Sequence, residues 1–147
     1  EEAAAAVSAM RYGPHGIRGM AGMTRATRYG QVENYFATAS DELCLVVQIE
    51  TVEGMKNLEA IAQTDGVDAV FIGPADLSAS MGYPGEPNRP EVLVAIKAII
   101  KRLQAVDVPA GLMSLDPDAA KDYFEMGASF VAVGVDQGFP SSLCDPL

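Results

Sequence analysis

The chain is poor in the residues that would announce several large classes of function. Its 147 residues hold two cysteines, one histidine and ten Lys or Arg against twenty Asp or Glu, for a formal net charge of −10. A protein that binds phosphate backbones gathers its basic side chains on one face, whereas these are scattered with no basic run, which argues against a nucleic-acid partner. No apolar stretch approaches the roughly 20 residues needed to span a bilayer, and 92–103 is interrupted by Lys97 and Lys101. No membrane partner is expected. Glu1-Glu2 followed by alanines lacks the basic start and apolar centre of a secretory signal. The two cysteines, Cys44 and Cys144, suit a reducing, cytoplasmic compartment. Cys44 borders an expected core strand and reads as a buried, inert thiol. No histidine lies near either cysteine in sequence, so a Cys-His nucleophile has little support.

What the chain does have is apolar content, 49% of residues, enough for one domain in the common range of about 100 to 150 residues. From position 43 onward, short apolar runs alternate with longer segments of helical period, the order that predicts parallel strands joined by crossover helices. The expected strands are 44–49, 69–73, 109–113 and 129–134, each nearly continuously apolar, as in strands covered on both faces. After the first, Val52, Met55, Leu58 and Ile61 recur at spacings of three and predict one covering helix. Residues 78–82 read as a single turn and 83–88 as loop. Pro90 opens the longest helix, with Val92, Ile96, Ile99, Ile100 and Leu103 on one face. Asp116-Pro117 marks another helix start, and Gly127 suits its C-terminus.

The ends read differently. Residues 1–11 look helical, but 12–30 carry five glycines with only 16–20 as extended structure, so 1–42 is a helix and an irregular connection. A helix with no strand before it is an odd start for a βα fold, and further strands are expected upstream. Residues 137–147 hold two prolines and no apolar period. A four-strand parallel sheet with open edges invites association, so the four βα units of 43–136 are expected to be half of a closed α/β barrel.

Two of the strands end in an acid: Leu45-Val46-Val47-Gln48-Ile49-Glu50 and Ala69-Val70-Phe71-Ile72-Gly73-Pro74-Ala75-Asp76. An acid after a strand also serves the first turn of the next helix, and Glu50 alone carries that reading. In an α/β barrel, however, the rim at the strand C-termini is where chemistry sits, and two carboxylates there suit a hard divalent cation. Beside Asp76, Pro74 has no amide hydrogen, leaving the Ala75 and Asp76 amides free for an anion. A cation next to two free amides fits a 2-oxo carboxylate such as pyruvate, whose enolate it would stabilise. No Lys lies at a strand end, which disfavours a Schiff-base aldolase.

Val47-Gln48-Ile49-Glu50-Thr51, the run from Gly66 to Ser78 containing Gly73-Pro74-Ala75-Asp76, and the run from Gly127 to Asp136 resemble the metal-dependent, class II 2-oxo acid aldolases of the pyruvate/phosphoenolpyruvate barrel superfamily. Arg11-Tyr12 and Gly16-Ile17-Arg18-Gly19 are similar to that family's segment between its fourth and fifth strands. The resemblance implies a (β/α)8 TIM-type barrel with about the last four strands in this chain, and an aldol reaction between pyruvate and an aldehyde. It implies Glu50 and Asp76 as ligands of a divalent metal, Mg²⁺ with Mn²⁺ and Co²⁺ as alternatives. The amides of Ala75 and Asp76 would receive the substrate carboxylate, Gln48 would line the pocket, and Met113 would lie over the substrate. Gln48 can also be read as bonding a neighbouring loop, and Met113 as ordinary core. The family's catalytic His and substrate-binding Arg belong to early strands, so no catalytic base is expected in this chain. His15, in Gly13-Pro14-His15-Gly16, reads as an exposed loop residue, and Arg18, Arg25 and Arg28 as surface charges. The resemblance also implies a homo-oligomer, trimer or hexamer, in the full-length form, although this tail does not resemble the family's exchanged terminal helix. Two other readings remain: a non-catalytic metal or oxo-acid binding remnant, and a citryl-type lyase.

Overall fold

The strands of the computed structural model, which describes residues 1–135, lie side by side in the order in which the chain makes them. They are β1 (Val46–Ile49), β2 (Ala69–Ile72), β3 (Ala110–Met113) and β4 (Phe130–Ala132), all parallel. Parallel strands need crossovers, and crossovers are right-handed, so an unreversed strand order puts every connecting helix on one face. That is the winding of a barrel segment rather than of a doubly wound sheet. Expectations for Asp136, Cys144 and 137–147 lie outside the described residues.

The helices are α1 (Glu2–Met10), α2 (Tyr35–Thr38), α3 (Val52–Lys56), α4 (Leu58–Ala62), α5 (Pro74–Ser80), α6 (Pro90–Ala105) and α7 (Pro117–Glu125), with a 3₁₀ turn at Ala39–Glu42. The core lies between one sheet face and this helical layer. Register aligns Ile49 with Ile72, Ile72 with Leu112 and Leu112 with Val131. This row packs with Leu58, Val92, Ile96, Ile99, Ile100, Leu103 and Tyr123. Each fully buried aliphatic of α6 stabilises the fold by about 1.5–3 kcal/mol before entropy is counted. No helix among the described residues is long and apolar enough to cross a membrane.

Side chains alternate across a strand, so the opposite face carries Val46, Gln48, Phe71, Gly111 and Phe130, then Glu50, Gly73, Met113 and Ala132. This is the face a closed barrel would turn inward. Among the described residues it is open: Val46 is 42% and Met113 39% exposed. The apolar runs therefore overstate coverage, because the inner layer of a barrel comes from strands on its far side.

Several local expectations are corrected. The helix expected over 52–62 is broken at Asn57, whose side-chain amide donates to the Glu53 carbonyl and competes with regular helix. The single turn expected at 78–82 is instead the C-terminal part of α5, which Pro74 opens at its first position. Residues 16–20 form no strand, only an isolated Tyr12–Arg18 bridge. The strands expected at 44–49, 69–73, 109–113 and 129–134 are each shorter. Among the described residues Cys44 is exposed rather than buried; it precedes β1, at the edge of the sheet. The connection after α1 is nonetheless ordered around buried Thr27, whose hydroxyl donates to the Gly22 carbonyl at 2.7 Å and accepts from the Gly30 amide at 3.1 Å.

Candidate active site at the strand C-termini

Glu50 follows β1 directly and is half-buried. Beside it, the Gly73 amide donates to the Ile49 carbonyl at 3.0 Å, carrying the ladder one step past β2. The chain then turns into α5, which places Asp76 in the first turn of that helix. The first closing bond runs from the Leu77 amide to the Gly73 carbonyl at 2.9 Å. Pro74 has no donor, and the amides of Ala75 and Asp76 make no hydrogen bond among the described residues. Both residues are exposed at the rim.

Two contacts hold this corner. The Val52 amide donates to the Ser80 hydroxyl at 3.0 Å, tying the turn after Glu50 to the end of α5. Below, Leu77 and Ser78 are fully buried, and Ser78 donates back to the Ala75 carbonyl at 2.7 Å. The two acids thus follow adjacent strands, Glu50 directly after β1 and Asp76 in the first turn of α5, and the turn after Glu50 is tied to the end of that helix. Asp68, at the other end of β2, serves instead to accept from the Leu45 amide at 2.6 Å.

Gln48 lies two residues before Glu50 on the same strand face, and its Nε2 donates to Glu50 Oε2 at 2.6 Å. Its partner is therefore the neighbouring carboxylate, not a loop. Met113 ends β3 on the open face, so among the described residues it is not packed into the core. Under the rim, the Phe71 and Phe130 rings face each other at 6.2 Å across Gly111 and make an apolar floor.

The donor set fits a hard cation. Carboxylates after β1 and in the first turn of α5 are oxygen donors of the kind a hard cation takes, and the described residues hold no cluster of three or more His, Cys, Asp or Glu that would make a closed cage. The corner is also shaped for the acids: a Cβ on Gly73 would stand 3.0 Å from Glu50 Oε2.

Other charged groups are spent elsewhere. His15, Arg25 and Arg28 are exposed, while Arg18 stacks on the Tyr12 ring at 4.7 Å. Arg89, which the sequence did not single out, lies 4.1 Å over the Tyr83 ring and pairs with Glu86 and Glu91 at 3.0 Å each. The hydrogen bonds it donates to Glu86, then to Glu91, raise its pKa further. It lines a surface depression at 85–91 that includes neither rim acid.

A singly wound, four-stranded parallel sheet with its helices on one face is part of a (β/α)8 barrel. The chain belongs to the HpcH/HpaI aldolase/citrate lyase family, whose model matches residues 1–141. It is 55% identical over 136 residues to a pyruvate aldolase from Rhizobium etli, covering 92% of this chain and 54% of that one. It is 52% identical over 137 residues to a 2-keto-3-deoxy-L-rhamnonate aldolase from Klebsiella pneumoniae, covering 92% and 51%. In structure it is similar to an HpcH/HpaI aldolase/citrate lyase family protein from Burkholderia cenocepacia, with a TM-score of 0.90 and 36% identity over 97% of this chain and 57% of that one. The chain spans about half the length of the curated relatives it matches.

Proposed function

We propose that this chain supplies the metal- and carboxylate-binding corner of an aldolase that cleaves or forms 4-hydroxy-2-oxo acids, giving pyruvate and an aldehyde. The observation that carries the reading is the placement of Glu50 directly after β1 and of Asp76 in the first turn of α5 after the neighbouring β2, where the Ala75 and Asp76 amides have no acceptor among the described residues, in a chain of this family.

Glu50 and Asp76 would hold a divalent ion, Mg²⁺ with Mn²⁺ or Co²⁺ as alternatives, which when bound supplies Lewis-acid stabilisation of charge developing on a keto oxygen. The Ala75 and Asp76 amides receive the substrate carboxylate at the start of α5. Pro74 helps by fixing the backbone entry to that turn. Met113 covers the pocket and excludes water from one side, while Gln48 lines it beneath Glu50. The Phe71–Phe130 floor limits the depth to which a substrate can sink. None of these groups is a suitable proton carrier, so proton transfer is assigned to a residue outside this chain, in the part of the barrel that the relatives add.

The test is pyruvate release from a 4-hydroxy-2-oxo acid by the complete gene product, with and without a chelator. Turnover is expected to vanish on chelation and to return with Mg²⁺ or Mn²⁺. Unchanged turnover after metal removal contradicts the mechanism. The family description also names citrate lyase; cleavage of a citryl thioester, with none of the oxo acid, would favour that reading.

A further inference from the structure

We infer that Gln48 is a positioning residue for Glu50, and that residue 73 is glycine because the Gln48–Glu50 pair occupies the space of its side chain. The inference rests on the proposed reading of Glu50 as a cation ligand and assigns how that ligand is aimed.

A glutamate after a strand can swing through several rotamers, and fixing such a long side chain in one of them carries an entropy cost. Gln48 and Glu50 share one face of the strand, and Gln48 Nε2 donates to Glu50 Oε2 at 2.6 Å. That bond takes up one oxygen of the carboxylate and leaves the other with no hydrogen bond among the described residues. The carboxylate is thereby set for one-sided ligation before any ion arrives, the usual service of a group that bonds a metal ligand from behind.

Gly73 makes this arrangement possible for a steric reason, not a conformational one. Its φ of −97° and ψ of 92° belong to extended backbone that any residue adopts. It is buried, and a Cβ there would stand 2.7 Å from Gln48 Nε2 and 3.0 Å from both Cβ and Oε2 of Glu50. The Gln48 amide is the far end of a flexible chain and would yield first. A methyl group at 73 therefore breaks the Gln48–Glu50 bond while leaving the fold in place.

The experiment is Mn²⁺ titration of the complete gene product, read by the electron paramagnetic resonance of the free and bound ion, with thermal unfolding of each variant as the check on folding. Wild type, Glu50→Gln, Gln48→Leu, Gly73→Ala and the double variant Gly73→Ala/Gln48→Leu are compared. Loss of an outer partner typically weakens metal binding by about 10–100-fold. That loss is expected in Gln48→Leu and in Gly73→Ala, with unfolding midpoints near wild type and a changed zero-field splitting of bound Mn²⁺. The double variant should bind no worse than Gln48→Leu, because both changes act through one bond. If Glu50→Gln loses Mn²⁺ while Gln48→Leu binds like wild type, the positioning role is overturned and the ligand role survives. Additive losses in the double variant overturn the steric account of Gly73. If Glu50→Gln binds like wild type, the ligand reading itself falls.

Discussion

Phe130 lays its ring where a side chain on Gly111 would stand, so one strand is bare because its neighbour is aromatic. Register pairs the two residues across β3 and β4, and Phe71 closes from the β2 side at 6.2 Å. Gly111→Ala would drive the Phe130 ring out of place, and overpacking of this kind costs about 1–3 kcal/mol. Urea denaturation should show that loss. The same change made in a Phe130→Ala background should cost clearly less, since the colliding ring is gone.

Arg102 grips Glu59 with both arms, Nε to Oε1 at 2.6 Å and Nη2 to Oε2 at 2.5 Å, while Nη1 reaches the Met55 carbonyl at 2.7 Å. One side chain on α6 thus fastens the two short helices α3 and α4. The hydrogen bond from Arg102 is the main cause that holds the Glu59 carboxyl at about 2, below its ordinary 4.5. A depressed carboxylate stabilises the fold above its unfolded pKa, and that stabilisation is lost as pH falls through the folded value. The urea midpoints of wild type and Glu59→Gln should therefore differ by a constant amount above pH 4.5 and converge as pH falls toward 2. A difference that grows on acidification would contradict the pairing.

Cys44 is exposed at the sheet edge, contrary to its apolar sequence surroundings. An aromatic disulfide reagent should modify it in the folded 147-residue chain without denaturant, and Cys44→Ser should remove that phase. Slow modification of Cys44, appearing only on unfolding, would restore the buried reading.

Much of the architecture was legible because its causes are local. Apolar runs bounded by Gly and Asp marked the strands, Pro90 and Pro117 marked helix starts, and Gly127, with φ of +104°, ends α7 where a left-handed turn is required. In the run Gly73-Pro74-Ala75-Asp76 the turn into α5 was legible for the same reason: a missing side chain and a missing donor are visible in sequence. The break at Asn57 was not, since the spacing of Val52, Met55, Leu58 and Ile61 fits an unbroken helix and carries no trace of the bond from the Asn57 side chain to the Glu53 carbonyl. Exposure of Cys44 depends on what packs over an edge, which no apolar run records. The Gln48–Glu50 bond was hidden too, because period two places both side chains on one face without saying that they meet. Arg89 stood between the 83–88 loop and the helix opened by Pro90, and its partners became evident only in three dimensions.

The account's central claim is that Glu50 and Asp76 together hold one divalent ion at the barrel rim. Calorimetric titration of Mn²⁺ into the complete gene product tests it most directly, with Glu50→Gln and Asp76→Asn alongside. The account predicts one ion per chain in the wild type and loss of binding in both variants. Wild-type binding in both variants would contradict it.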